Sequence, residues 1–300
     1  MNILLGIPLD SELADYIAKK NSVNGMVLYE RKVGDKMIIA MAPTSIEEKF
    51  YALPESLLLA DQIVLSTRNV DKLFGEVLVA CKLLDKRTII TKDSEVSEML
   101  KGIALQDSVL AEREELIALI TEHPSKIDAA APVKVAIDRC FSVKGIGVVA
   151  LGIVTRGTLK THDTLVNDSG KKITVRSIQS QDVDIPEAAQ GTRVGLALKG
   201  IEADEADKGD IFSVAQIKKA KKVVVGAKMS PFAKEAVEKG KQYSMAAGFS
   251  YVRVTVESVE GGMLSLDLEK PIQLEKGDTV LFSRQAAPRI FASGVVSSIS

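Results

Sequence analysis

The sequence has no tryptophan, two cysteines, two histidines and an aromatic content of 4%. Cys81 and Cys140 have no metal-ligating neighbours, which argues against a zinc site and a disulfide framework and fits a reducing cytosol. His123 stands beside a helix stop and His162 in a turn, and nothing near either supplies a nucleophile or a metal partner. So few aromatics disfavour the base-stacking platforms of single-strand binders. Long apolar runs are missing too. Val77–Ala80 and Gly145–Val154 fall far short of the ~20 residues that cross a bilayer. The opening MNILLGIPLDSELADYIAKK has no basic start or cleavage pattern, and Asp10 and Glu12 stand where a signal peptide is apolar. A cytoplasmic chain without membrane contact is expected.

What is present is an ordinary globular composition, 46% hydrophobic and 26% charged over 300 residues. At roughly 100–200 residues per domain, two or three domains are expected. The net charge of −1 hides an asymmetry. Residues 1–130 carry 15 basic and 21 acidic side chains, residues 131–214 balance at 11 each, and residues 215–300 carry 13 basic and 8 acidic. A polyanion is therefore expected to meet the C-terminal end.

The periodicity changes along the chain. Asn2–Gly6, Lys36–Met41, Gln62–Ser66 and Arg87–Thr91 read as buried strands. Ser11–Lys20, Ile46–Ala60, Leu73–Leu84 and Val109–Glu122 read as helices, the first with Ser11 as its N-cap. This alternation predicts a parallel sheet with helices on its faces. After a small, polar linker at Ser125–Ala131 come short β-branched runs at Val133–Ile137, Gly147–Val154, Ile173–Ile178 and Val194–Leu198. Similar runs follow at Val223–Val225, Tyr251–Val256, Met263–Leu268 and Thr279–Phe282, with Gly261-Gly262 as a hairpin turn and one short helix at Pro231–Gly240. The expected fold is an α/β domain over residues 1–126 and two antiparallel β-barrels over 131–214 and 217–300.

Val135-Ala-Ile-Asp-Arg-Cys-Phe-Ser-Val-Lys-Gly-Ile-Gly-Val-Val-Ala-Leu-Gly152 resembles the opening of the second domain of translational GTPases. Val175–Asp182, Gly191–Gly200 and Ala206–Asp210 resemble its later strands and its exit. The likeness is closer to the selenocysteine-specific elongation factor than to elongation factor Tu, because Ile-Asp-Arg precedes Phe-Ser-Val-Lys-Gly. Pro288–Gly294 resembles the last strand of the third domain. The complete selenocysteine factor carries a further C-terminal domain. The likeness ends at Ser300, so binding of a selenocysteine-inserting element is not expected.

The family's nucleotide site is a degenerate copy here. Its phosphate loop reads G-x-x-x-x-G-K-S/T, with a Lys for the phosphates and a hydroxyl for magnesium. The matching stretch is Gly6-Ile-Pro-Leu-Asp10-Ser11-Glu12-Leu13, which keeps only the first Gly. A Glu beside a phosphate turns attraction into repulsion of several kcal/mol at ~4 Å. The second switch, D-x-P-G-H, is replaced by Pro43-Thr-Ser-Ile-Glu47, and the guanine-reading N/T-K-x-D by Thr91-Lys92-Asp93-Ser94, with its Asp one place early. Only about 30 residues, Leu13 to Pro43, separate loop and switch, which leaves little room for an ordered first switch. The expectation is a pseudo-GTPase: no catalysis, no GTP, no magnesium and one fixed domain arrangement.

The resemblance places an aminoacyl pocket on Asp138, Arg139 and Arg193, where two guanidiniums would favour a selenolate and the carboxylate would orient one of them. The residues themselves equally allow an ion pair that holds two barrel strands. In the family the third domain meets tRNA, which makes Lys218, Lys219, Lys221 and Lys222 candidate phosphate contacts, with Lys228, Lys234, Lys239 and Lys241 beyond them. The alternative for each is a solvated charged face. The partners implied are tRNA or the ribosome, or else a protein partner on the same scaffold; DNA is not expected. A divergent GTP-binding factor is the third reading.

Overall fold

The computed structural model describes residues 1–23, 26–92, 105, 107–125, 128–233 and 235–300. Seven strands form the first sheet: β1 (Asn2–Gly6), β2 (Lys19–Val23), β3 (Met26–Val33), β4 (Lys36–Pro43), β5 (Gln62–Leu65), β6 (Arg87–Thr91) and β7 (Ser108–Ala111). Their order is β2-β3-β4-β1-β5-β6-β7. From β4 to β7 the pairing is parallel, and β2, β3 and β4 pair antiparallel. Successive strand residues point to opposite faces, so the apolar β1 serves two cores. Ile3 and Leu5 pack with α1 (Ser11–Ile17) and α4 (Leu116–Glu122), while Leu4 packs on the other face with α2 (Ala52–Leu59) and α3 (Lys72–Leu84).

The middle of the chain is an antiparallel sheet. Its strands are β8 (Lys134–Val143), β9 (Gly147–Arg156), β11 (Thr164–Val166), β12 (Lys172–Ser180), β13 (Val183–Ile185), β15 (Arg193–Lys199) and β16 (Ile211–Ser213). They run in the order β11-β16-β8-β9-β15-β12-β13, and β11 also pairs with β12. A separate ribbon joins β10 (Thr158–Lys160) to β14 (Glu187–Ala189). The last part is a closed six-stranded barrel of β17 (Lys219–Met229), β18 (Gln242–Ala247), β19 (Ser250–Glu260), β20 (Met263–Gln273), β21 (Thr279–Ser283) and β22 (Ile290–Ile299). Gly261 and Gly262 turn β19 into β20, both with positive φ, as a tight hairpin requires.

The three units share one apolar cluster. The α2–α3 core continues into Ala136 and Ile153 of the middle sheet and into Ala246, Phe249, Leu281 and Ile290 of the barrel. Polar contacts reinforce it. Asn2 Nδ2 donates to Thr192 Oγ1 at 2.7 Å, Ser293 Oγ donates to the Leu83 carbonyl at 2.9 Å, and Lys134 Nζ pairs with Glu275 at 2.9 Å.

Several sequence expectations change. The N-cap of α1 is Asp10, not Ser11: Asp10 Oδ1 accepts from the Leu13 N–H at 2.9 Å. That helix ends at Ile17, and the chain turns into the unanticipated hairpin β2–β3, which fills the short stretch before Pro43. The expected helix over Ile46–Ala60 is helical only over Ala52–Leu59. The expected helix over Val109–Glu122 opens instead as β7, because residues 108–111 extend the parallel ladder beside β6, and only Leu116–Glu122 is α-helical. Among the described residues, Pro231–Gly240 contains no helix. The linker is tied down at its start, where the buried Ser125 donates its hydroxyl to Asp61.

Candidate functional site

The loop from β1 to α1 carries the residues that the resemblance matches to a phosphate loop. Gly6 is the last residue of β1 and lies close under α2; a Cβ there would lie 3.2 Å from the Ser56 carbonyl oxygen. Asp10 is held twice, by the Leu13 N–H and by Ser66 Oγ at 2.7 Å. Ser11 and Glu12 are exposed, and Glu12 pairs with Arg68. Across the sheet, Thr91 binds Thr67 through three contacts of 2.9–3.0 Å, and Lys92 pairs with Glu112 at 3.1 Å. Asp93 lies outside the described residues. Beside the loop opens a cleft of about 530 Å3 whose charged lining is Asp10, Asp15, Glu47 and Lys20. Among the described residues, no group of three or more His, Cys, Asp or Glu is placed to hold a metal ion.

The second group of predicted residues lies where the middle sheet faces the first. Asp138 sits in a β-bulge, between Ile137, which pairs with Gly152, and Arg139, which pairs with Leu151. Val135 to Asp138 are all buried, with Val135 and Ile137 in the core of the middle sheet and Ala136 in the shared cluster, so β9 packs close against β8 here. Gly152 permits it, since a Cβ there would come 2.4 Å from the Ala136 carbonyl oxygen. The exit motif clamps the same point. Gly209 N–H donates to the Ile137 carbonyl and Ile137 N–H to the Asp210 carbonyl, both at 2.8 Å. Arg193 begins β15, opposite Ile153 on β9. Burial pushes its guanidinium pKa down; Asp138 and Glu30 oppose this, and Arg139 adds to it. The structure therefore brings Asp138, Arg139 and Arg193 into one electrostatic group. Arg139 is the exposed member and Asp138 the buried one.

Three residues that the sequence reading missed complete this junction. Glu30, in the middle of β3, is buried and acts on the charge of Arg193. Glu55 on α2 is 1% exposed and accepts from Lys208 Nζ at 2.7 Å. Burial pushes the Glu55 carboxyl up to about 7, against the pull of Lys208, and Asp138 adds to the rise. The Lys208 ammonium also lies 4.7 Å from the Tyr51 ring centroid and 5.7 Å from that of Phe249, so it touches all three units. The available signal was a lone carboxylate inside an apolar run, as in Met26-Val-Leu-Tyr-Glu30 and Ala52-Leu-Pro-Glu-Ser-Leu57.

The basic run is less open than its sequence suggests. Lys219 pairs with Asp210 at 2.7 Å and Asp168 at 3.5 Å, Lys221 with Asp267 at 3.7 Å, and Lys222 with Glu257 at 2.5 Å. Burial works against the Lys219 ammonium, yet its carboxylate partners hold its pKa above the ordinary value. Lys218 is exposed, and Lys228 pairs with Asp85 at 2.6 Å. Lys234 lies outside the described residues. Both cysteines are free thiols; burial raises Cys140 and pushes Cys81 up to about 12, which makes Cys81 inert.

This arrangement of a mixed sheet, an antiparallel sheet and a closed barrel is the fold of an elongation factor. The structure of elongation factor SelB from Methanococcus maripaludis superposes with a TM-score of 0.83 at 18% identity, over 100% of this chain and 80% of that one. Residues 147–213 match the family model of elongation factor Tu domain 2. The uncharacterized protein MJ0325 of Methanocaldococcus jannaschii is 32% identical over 292 residues, 93% of this chain and 94% of its own length. The selenocysteine-specific elongation factor of the same organism is 25% identical over 199 residues, 59% of this chain and 42% of that factor. The chain belongs to one family with MJ0325, and that family is related to the translational GTPases. Among the described residues no helix is long and apolar enough to cross a membrane.

Proposed function

We propose that this chain is an elongation-factor-like cytoplasmic protein that has lost GTP hydrolysis and binds aminoacyl-tRNA or another part of the translation machinery without a nucleotide trigger. The cleft beside β1 and α1 carries this reading. A triphosphate entering it would face Asp10, Asp15 and Glu47 against the single ammonium of Lys20. Glu12, at the position of the family's phosphate Lys, is engaged with Arg68, and Leu13, at the position of the magnesium hydroxyl, is buried. These residues do not fit GTP with magnesium. With β11 paired to both β16 and β12, we read the middle sheet as a second barrel. Asp138, Arg139 and Arg193 on it form the part of the scaffold able to meet an anionic aminoacyl end.

The test is a titration with bulk tRNA, aminoacylated and deacylated, at two salt concentrations and without nucleotide. Preference for the aminoacylated form, with a steep loss on raising salt, supports the reading. Absence of binding at either salt overturns it. One observation favours a second reading, a protein-interaction adaptor on the same scaffold. Lys219, Lys221 and Lys222 already have carboxylate partners, which competes with phosphate. On that reading the fold is retained and RNA does not bind.

A further inference from the structure

A second cleft, of about 670 Å3, opens between the first sheet unit and the barrel. It is bounded by Phe50, by Tyr243 and Ser244 on β18, by Tyr251 and Arg253 on β19, and by Ser283, Arg284 and Arg289 around the turn from β21 to β22. Its charged lining is three arginines, and each has one carboxylate partner beside the cleft, Glu269, Glu235 and Glu76.

The arginines are held in place. Arg289 Nε donates to Glu76 Oε2 at 2.9 Å, and its guanidinium lies 4.5 Å from the Phe50 ring centroid. Arg284 Nη1 donates to Glu235 at 2.9 Å, and its guanidinium lies 5.5 Å from the Phe291 ring. A guanidinium has five N–H donors, so each keeps donors to spare after one carboxylate contact. Arg253 is the exposed member, paired with Glu269 at 3.6 Å. The lining also offers an accessible aromatic ring. Tyr251 is 37% exposed and is fixed by the 2.9 Å contact of its hydroxyl with Ser283 Oγ. Gln242 and Gln285 bring amides to the rim.

We propose that this cleft binds a nucleoside di- or triphosphate, at a place separate from the loop after β1. The phosphates meet Arg253, Arg284 and Arg289 through paired N–H contacts, the base stacks on the exposed face of Tyr251, and the amides read its edge. The cleft has the volume of a small-molecule site, larger than a lone phosphate needs.

Calorimetric titration of the full chain with ATP, GTP and inorganic pyrophosphate tests this. The expected result is saturable nucleotide binding that Arg253→Ala weakens about tenfold or more, with Arg253→Lys restoring little of it. Tyr251→Ala weakens nucleotide binding and leaves pyrophosphate binding unchanged. Lys20→Ala, in the cleft beside α1, changes nothing. Arg253 and Tyr251 are surface positions, and an unchanged thermal unfolding curve checks that the variants fold. The proposal is overturned by absence of saturable binding, by loss of binding in Lys20→Ala but not in Arg253→Ala, or by pyrophosphate binding as tightly as the nucleotides. Binding of RNA alone, without free nucleotide, also overturns it.

Discussion

Lys208 Nζ reaches Glu55 Oε2 at 2.7 Å and so ties the exit of the middle sheet to a helix of the first unit. Glu55 is 1% exposed, and its carboxyl is pushed up to about 7 by burial. The folded state therefore holds a proton that the unfolded chain releases near pH 4.5. Between those values the native state binds more protons, so stability falls as pH rises. The contribution is fully present below the unfolded value, is lost on passing pH 7, and amounts to ~3 kcal/mol. Thermal unfolding of the wild type should decline from pH 5 to pH 8, and Glu55→Gln should flatten that decline. A wild-type midpoint that does not move over this range sinks the assignment. Lys86 gives an independent check of opposite slope. It is buried and lowered to about 8 while donating to the Leu57 and Leu58 carbonyls, so its loss of charge should add stability only above that pH.

Gly209 has φ +94°, and a Cβ there would lie 2.4 Å from Ser250 Oγ and 3.1 Å from Ser250 Cα. Gly209→Ala therefore meets both an unfavourable backbone region and a neighbouring main chain that cannot step aside. We expect a loss of at least ~2 kcal/mol, read in denaturant unfolding, with the middle sheet and the barrel parting first. Ser250→Ala removes only the contact to the Gly209 carbonyl and should cost about 1 kcal/mol. Equal effects of the two changes would refute the steric account.

Much of the frame was legible. β1 and β6 have the predicted limits because each is an apolar run closed by a turn or a polar step. The Gly261-Gly262 hairpin follows from two residues that tolerate positive φ. What stayed hidden depends on partners far along the chain. Lys19-Lys-Asn-Ser-Val23 is too polar to announce a strand and becomes one by pairing with β3. Val109-Leu-Ala111 is extended because β6 offers it a parallel ladder. Asp10 and Ser11 are both good caps, and one residue of shift decided between them. In the site, Asp138 and Arg193 were visible by resemblance, but Glu30 and Glu55 arrive from another unit. The basic run looked available until Asp168, Asp210, Glu257 and Asp267 came alongside it.

Arg193 separates the two readings of its group. If it recognises an aminoacyl end, Arg193→Ala should reduce the preference for aminoacylated over deacylated tRNA about tenfold, with a smaller effect on total tRNA affinity. If it only neutralises Asp138 and Glu30, the variant should lower the unfolding midpoint and leave that preference unchanged, since it takes a positive charge away from two buried carboxylates. Measuring both quantities on one preparation distinguishes them.

The last prediction concerns motion. In translational GTPases the γ-phosphate drives the first domain against the others. In this chain the corresponding joints are closed by buried groups. Glu55 meets Lys208, Glu76 holds both the N–H and the Nε of Arg289, and Ser293 reaches the Leu83 carbonyl. The apolar core of α2 and α3 runs through the same joints. A ligand moves such an equilibrium only by its differential affinity for the two states. The cleft where GTP would act is lined by three carboxylates and one ammonium. Small-angle scattering profiles should therefore superpose with and without GTP and magnesium. Glu76→Ala strands the half-buried guanidinium of Arg289, costs about 3 kcal/mol, and should be the change that loosens the barrel from the first unit. A GTP-dependent change in the radius of gyration that persists in Arg253→Ala would show that the trigger survives and that the joints are not locks.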